Sequence, residues 1–286
     1  MSLLAFGLVI ISAFMHATWN YLSKRAQGGA AFTWLFLAIS SVVYAPFAAA
    51  IMFYQQPHFG WLDLLFIAGS TVIHLAYFLV LQKGYKVGDL SVVYPVARGT
   101  GPMLASVAAI FLYNENLTVV EFAGISLIVL SVFFLTGGAK IFNNPSSFLP
   151  LIYGLVVGVI IASYTLLDKG AVAVLLIPPL IYNYGGILGQ LILLSPIALR
   201  RRKEIRREWN LHRKEALGIA ILSPLAYILV LTAMVFTPVS HVAPVREISI
   251  LIGTVMGTKL LSEGFGFRRI VAAGTMVAGV IIVAFS

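Results

Sequence analysis

Apolar residues along the chain gather into long runs separated by short polar joints. No stretch alternates polar and apolar positions with the period of two that a lipid-facing strand requires. A transmembrane helix needs about 20 mostly apolar residues. Ten segments meet or approach that length: residues 3–22, 32–53, 61–81, 90–112, 119–136, 149–167, 174–199, 217–236, 242–261 and 270–285. The pattern predicts an all-α integral membrane protein with ten transmembrane helices. The first run has no basic residue ahead of its apolar core and carries His16, Trp19 and Asn20 in its second half. It therefore reads as a retained helix and not as a cleaved signal peptide. The joints are short, several of them carrying Gly, Pro or Asn, and leave almost no room for an extramembrane domain.

The runs repeat. Ala17-Thr-Trp-Asn-Tyr-Leu-Ser-Lys24 aligns with Ala162-Ser-Tyr-Thr-Leu-Leu-Asp-Lys169, and Ala76-Tyr-Phe-Leu-Val-Leu81 with Ala226-Tyr-Ile-Leu-Val-Leu231. Pro95-Val-Ala-Arg98 corresponds to Pro244-Val-Arg246 with one residue missing, and Glu115 to Glu263. The offsets lie between 145 and 150 residues, so the chain reads as two five-span units, residues 1–143 and 144–286. Because five is odd, the second unit enters the membrane from the opposite side, giving two inverted five-helix repeats.

Composition agrees with a membrane protein. Of the 286 residues, 60% are hydrophobic and 10% charged, against about 45–50% and about 25% in soluble domains; the mean hydropathy is +0.99. The absence of cysteine removes disulfides, thiolate nucleophiles and most zinc sites. The net charge of +9 is a matter of placement rather than of nucleic-acid binding. Fifteen of the nineteen Lys and Arg residues fall in odd-numbered loops, eight of them in 200–214, and Lys259 lies at the ninth-span end that meets such a loop; Lys169 alone lies in an even loop, and Arg98 and Arg246 lie deep within spans. The positive-inside rule places odd loops in the cytoplasm and both termini outside. The basic loop 200–214 would lie near anionic lipid headgroups, its first role being to set orientation.

His16-Ala-Thr-Trp-Asn20 in the first span, Pro95-Val-Ala-Arg98 in the fourth, and Glu115 and Glu263 closing the fourth and ninth, taken with the five-plus-five repeat, resemble the drug/metabolite transporter superfamily. The resemblance is to its ten-span branch with two EamA-type repeats and covers nearly the whole chain. It implies an exporter or exchanger of a metabolite such as an amino acid, nucleobase or sugar phosphate, held in a central cavity between the halves. It further implies residence in a bacterial cytoplasmic (inner) membrane, with no cofactor or metal. Members of that branch usually hold both termini in the cytoplasm, the reverse of what the loop charges indicate. Opposite insertion, or a span miscounted at one end, would reconcile the two.

Ionisable groups within a span cost about 2.5–3.5 kcal/mol on insertion scales and are functional candidates by default. Arg98 and Arg246 come first, because a guanidinium stays charged and grips a carboxylate or phosphate with two parallel hydrogen bonds. The alternative for either is a structural pairing with Glu247. Together the three sum to +1, which favours an anionic or zwitterionic substrate. On the first span His16 and Asn20 share a face with Ser12, and Trp19 with its repeat partner Tyr164 offers amphipathic walls. His74 and Tyr77 share a face of the third span, Tyr227 repeats Tyr77, and Tyr94 lies one turn before Arg98. His16 or His74 is suited to carry a coupling proton. Glu115 and Glu263 read as span-end carboxylates, His241 as interfacial, and Gly154/Gly158, Gly185/Gly189 and Gly253/Gly257 as close helix contacts.

The expected function is secondary transport of a small anionic or zwitterionic metabolite by alternating access. No phosphate-binding loop supports ATP driving. The alternative weighed is an intramembrane enzyme acting on a lipid-linked or small anionic substrate through Arg98, His16 and Glu247. Neither metal-ligand spacing nor a nucleophile–base pair supports it, so no enzymatic activity is expected. A scaffold or receptor is disfavoured because the loops leave partners little surface. Monomer and homodimer stay open.

Overall fold

A computed structural model describes residues 1–26, 29–87, 90–135, 148–261 and 267–286, all of its regular structure helical. The elements are α1 (Leu3–Ala26), α2 (Ala30–Gln55), α3 (Trp61–Val87), α4 (Leu90–Tyr113), α5 (Val119–Leu135), α6 (Phe148–Lys169), α7 (Pro179–Arg200), α8 (Arg202–Phe236), α9 (Val239–Val245), α10 (Ile248–Leu261) and α11 (Phe267–Phe285). Among the described residues seven helices are long and apolar enough to cross a membrane, and two shorter apolar helices cover Val119–Phe134 and Ile270–Phe285. The repeat boundary at 143/144 lies outside the described residues.

Helix contacts follow the repeat. α1 packs on α8 as α6 packs on α3, α2 on α8 as α7 on α3, and α1 on α10 as α6 on α4; α2 meets α7, and α5 meets α11. Exchanging each element with its equivalent in the other unit carries every one of these contacts into another or into itself. Close approach at these contacts depends on glycine. A Cβ added at Gly158 of α6 would lie 1.9 Å from Thr100 Oγ1 on α4, and one at Gly189 of α7 would lie 2.7 Å from Thr71 of α3.

Polarity is inverted relative to a soluble protein. Phe111 is 79% exposed while Arg98 is 5% and Asp168 0% exposed, as expected when the surrounding solvent is hydrocarbon and polar groups must find partners inside. The N-terminal ammonium donates to the Ala284 carbonyl at 2.7 Å, and the Phe6 and Phe285 rings lie 5.6 Å apart. The two ends of the chain therefore lie against each other.

Two local structures differ from the expectation. The basic segment 200–214 is helical rather than a loop: α8 continues through it from Arg202, bent at His212, whose φ/ψ of −128°/28° leave the helical region. Polar charge runs carry no apolar period, so a helix made of them has no signature of burial. The ninth span is also not one continuous helix. Pro244 lacks the N–H that would bond Ser240, and after it the bonds tighten to the i→i−3 kind, with Glu247 N to Pro244 O at 2.9 Å and Ser249 N to Arg246 O at 3.1 Å. Arg246 and Glu247 occupy this turn between α9 and α10.

Candidate substrate site

The turn after Pro244 points two adjacent ionisable residues into the core, and α4 brings a third from the other half. Arg98 Nε lies 2.9 Å from Glu247 Oε2, with both side chains almost fully buried, and Arg98 Nη2 reaches Ser249 Oγ at 3.5 Å. Arg98 thus takes the structural pairing, and that pair bridges the two repeats. Arg246 is equally buried, at 3% exposure. Among the described residues no carboxylate lies within 4.0 Å of its guanidinium, and its Nε has no hydrogen-bond partner. Around it, within electrostatic reach, stand Tyr164, Arg98, Glu247 and Tyr227.

His16 of α1 is half-buried and feels both Arg98 and Arg246. Its ring is held by its own helix: Trp19 Nε1 donates to His16 Nδ1 at 3.3 Å with the rings edge-on at 4.9 Å, and Asn20 Nδ2 donates to the His16 carbonyl at 2.8 Å. Asn20 is exposed and bonds within α1, whereas Trp19 packs on the apolar cluster formed by Phe32, Leu35 and Ile219. Ser12, on the same face, is committed to α8 through the Ala226 carbonyl at 2.7 Å.

A second group sits beside the first. His74 stacks on Tyr164 with centroids 4.2 Å apart and meets Tyr227 edge-on at 5.6 Å; Tyr77 meets Tyr164 at 5.9 Å. Asp168 joins them. Its Oδ1 accepts from the Tyr182 hydroxyl at 2.6 Å, its Oδ2 accepts a short bond from the Tyr227 hydroxyl, and His74 Nε2 lies 3.8 Å from Oδ2. Asp168 was not among the residues expected from sequence, because the apolar run 149–167 ends just before it. The signal was nonetheless present: the apolar stretch resumes at Gly170 and continues to Pro178, so Asp168 and Lys169 interrupt a buried segment rather than end one.

A third group closes the even-loop side. Lys169 Nζ donates to the Met234 and Thr237 carbonyls at 2.6 and 2.9 Å, satisfying the C-terminal end of α8. Across the joint, Glu115 accepts from the Val239 and Ser240 N–H groups at the start of α9. His241, expected at the interface, is instead buried, with Nε2 2.7 Å from Glu121 Oε1. Glu121 also accepts from the Thr118 N–H, which sets it at the head of α5. Position along a span did not reveal this partner, since the carboxylate comes from the other half.

The structure pairs Arg98 with Glu247 next to Arg246, gathers His74, Tyr77, Tyr164 and Tyr227 in ring contacts, and leaves Trp19 and Asn20 bonded to His16 within α1. Tyr94 belongs to α4, and its side chain lies outside the described residues, as does Glu263.

A helical membrane protein of two repeats, with buried arginines at a tightened helix turn, has the build of a membrane transporter. Comparison gives the family. The profile of the EamA-like transporter family matches residues 3–137 and 148–285, once in each half. The chain belongs to this family, whose members are membrane transporters of the drug/metabolite type. Among solved structures, one described only as the crystal structure of a protein aligns with a TM-score of 0.77 at 14% identity, covering 97% of this chain and 95% of its own. That likeness concerns the fold. A search of curated proteins finds none that matches.

Proposed function

We propose that the chain exports or exchanges a small anionic or zwitterionic metabolite, an amino acid being the leading class, by alternating access around the Arg246 site. One observation carries this reading: Arg246 is buried with no carboxylate within 4.0 Å among the described residues, while Arg98 beside it is matched by Glu247. A buried cation without its own counter-ion is costly. A ligand carboxylate would supply the missing charge and both hydrogen bonds. Tyr164 and Tyr227, within electrostatic reach of the guanidinium, would serve as walls for the ligand body.

The transport cycle proposed has the two inverted five-span repeats rocking about this point in a ten-span protein, with both termini outside and the membrane a bacterial inner membrane. The Arg98–Glu247 pair across the repeats and the Pro244 turn supply the elements that would rearrange. The helical basic segment at the start of α8, where Arg202, Lys203, Arg206 and Arg207 are exposed, suits anionic headgroups.

Counterflow in proteoliposomes tests the reading. Vesicles loaded with one unlabelled amino acid or small carboxylate at a time are expected to accumulate the labelled form for at least one member of the panel. An Arg246→Ala protein exchanging that compound at the wild-type rate would overturn the site assignment. A reporter fused after Ser286 reads the orientation.

A further inference from the structure

The stretch of α8 before the bend at His212 carries more positive charge than its surroundings cancel. The three acids of α8 are all taken: Glu204 faces Arg201 at 3.4 Å, Glu208 faces His212 at 2.9 Å, and Glu215 faces Arg25 at 3.3 Å. Among the described residues no carboxylate lies within 4.0 Å of Arg202, Lys203, Arg206 or Arg207, and all four are exposed. Setting orientation asks only that bases be present on one side of the membrane, in any arrangement. These bases are arranged.

Arg202, Ile205, Arg206 and Trp209 recur at i, i+3, i+4 and i+7 and so share one face of α8. That face lines a groove of about 390 Å³, whose opposite wall is Trp34 and Leu35 of α2 with Leu199 at the end of α7. Ligand pockets run from about 300 to about 1,000 Å³, so the groove has room for part of a ligand. Ile205 seats the helix on the apolar cluster of Phe32, Leu35 and Ile219, and the Trp34 indole N–H is fixed on Ser195 Oγ at 3.0 Å. Leu199 is 55% and Trp209 40% exposed, so the groove is open at its side. Leu199 closes the apolar run 174–199, and Trp34 stands near the start of the run 32–53. Both therefore sit where hydrocarbon gives way to headgroups, the depth at which tryptophan is enriched. Arg206 also lines an adjoining hollow with Lys203, Arg207 and Asn210, which continues the basic rim.

We propose that this groove is a binding site for one anionic phospholipid, its phosphate held by Arg202 and Arg206 and the first part of an acyl chain laid between Trp34, Leu199 and Trp209. Each guanidinium can give a phosphate two parallel hydrogen bonds. Four residues apart on a helix, the two have Cβ atoms about 5–6 Å from each other, close enough for both to reach one phosphate. A soluble phosphate or an acidic protein segment would match the charge and leave the apolar wall in water. A phospholipid uses both. Because α2 belongs to the first repeat and α7 and α8 to the second, the bound lipid braces the two repeats at this end of the molecule. The site rests on the headgroup contact proposed above and narrows it to one lipid at named residues; it depends neither on Arg246 nor on transport.

Native mass spectrometry of the detergent-purified protein, titrated with dioleoyl phosphatidylglycerol or with dioleoyl phosphatidylcholine, tests the proposal. One phosphatidylglycerol is expected to be retained per chain, with phosphatidylcholine bound about tenfold more weakly. Arg202→Gln combined with Arg206→Gln is expected to weaken phosphatidylglycerol binding about thirtyfold. Arg213→Gln combined with Lys214→Gln removes the same charge from exposed positions outside the groove and should weaken it less than about threefold. Trp209→Ala, which opens the acyl wall and keeps every charge, should weaken it about fivefold. These side chains are exposed, so melting in lipid-free detergent should be the same for all variants. Equal losses from the two paired substitutions reduce the contact to diffuse headgroup attraction and overturn the site, as does phosphatidylcholine bound as tightly as phosphatidylglycerol. Thermal stabilisation by glycerol phosphate or by poly-L-glutamate equal to that by phosphatidylglycerol assigns the basic face to a soluble anion or to an acidic protein, and overturns the lipid.

Discussion

Glu115 at the end of the α4 segment accepts a hydrogen bond from the backbone N–H of Val239 at 2.7 Å, and its second oxygen accepts from Ser240 at 2.9 Å. A carboxylate from the first repeat thus caps a helix of the second, where unsatisfied N–H groups and the helix dipole both favour negative charge. Glu115→Ala is expected to destabilise the protein by about 1–3 kcal/mol, because two buried donors lose their acceptor. Glu115→Gln, which keeps one oxygen, should recover part of the loss. Equilibrium unfolding in detergent reads both.

The Arg98–Glu247 pair should behave as structure. Glu247→Gln strands a buried guanidinium and is expected to cost about 3–5 kcal/mol. Adding Arg98→Gln removes the stranded charge, so the double variant should be more stable than Glu247→Gln alone. A double-mutant cycle by thermal unfolding checks the coupling, and strict additivity would contradict the pairing.

Arg246 should show the opposite balance. Because no carboxylate lies within 4.0 Å of it among the described residues while Arg98 holds Glu247, Arg246→Gln removes a buried charge without an ion-pair partner and is expected to leave the melting temperature unchanged or higher while abolishing exchange. A fall in stability as large as that from Glu247→Gln would mean that Arg246 is held by the fold.

Packing of α4 on α6 can be tested at one atom. A methyl at Gly158 would meet Thr100 Oγ1 at 1.9 Å, and Thr100 is itself fixed by a 2.7 Å bond to the Val96 carbonyl. Gly158→Ala should cost about 1–3 kcal/mol through overpacking, and Thr100→Ala added to it should return part. Gly186, where an added Cβ meets nothing within 4 Å, should tolerate alanine.

Much of the architecture was legible because the bilayer imposes it. Apolar runs of spanning length must be helices, and a run interrupted by Arg98 or Arg246 must bury that charge at a site. Gly185 and Gly189 likewise marked a real contact, against Ile67 and Thr71 of α3. Other features were illegible for definable reasons. His241 found Glu121 across 120 positions of sequence, a distance over which no local pattern carries information. The helix through 202–214 is made of exposed charges, so it lacks the apolar period that announces burial. Asp168 fell one residue beyond the edge of a hydropathy window.

The sequence by itself determined the class of protein, its duplication and the residues too polar to face lipid, since each follows from the cost of placing a given side chain in hydrocarbon. Only the tertiary structure decided which charges cancel. Arg98 and Arg246 are equivalent in the repeat, yet one meets Glu247 and the other does not, because the α9–α10 turn aims the single carboxylate of that turn at one guanidinium. Pairing depends on distances of a few ångströms between distant parts of the chain, and those are set by packing rather than by order along it.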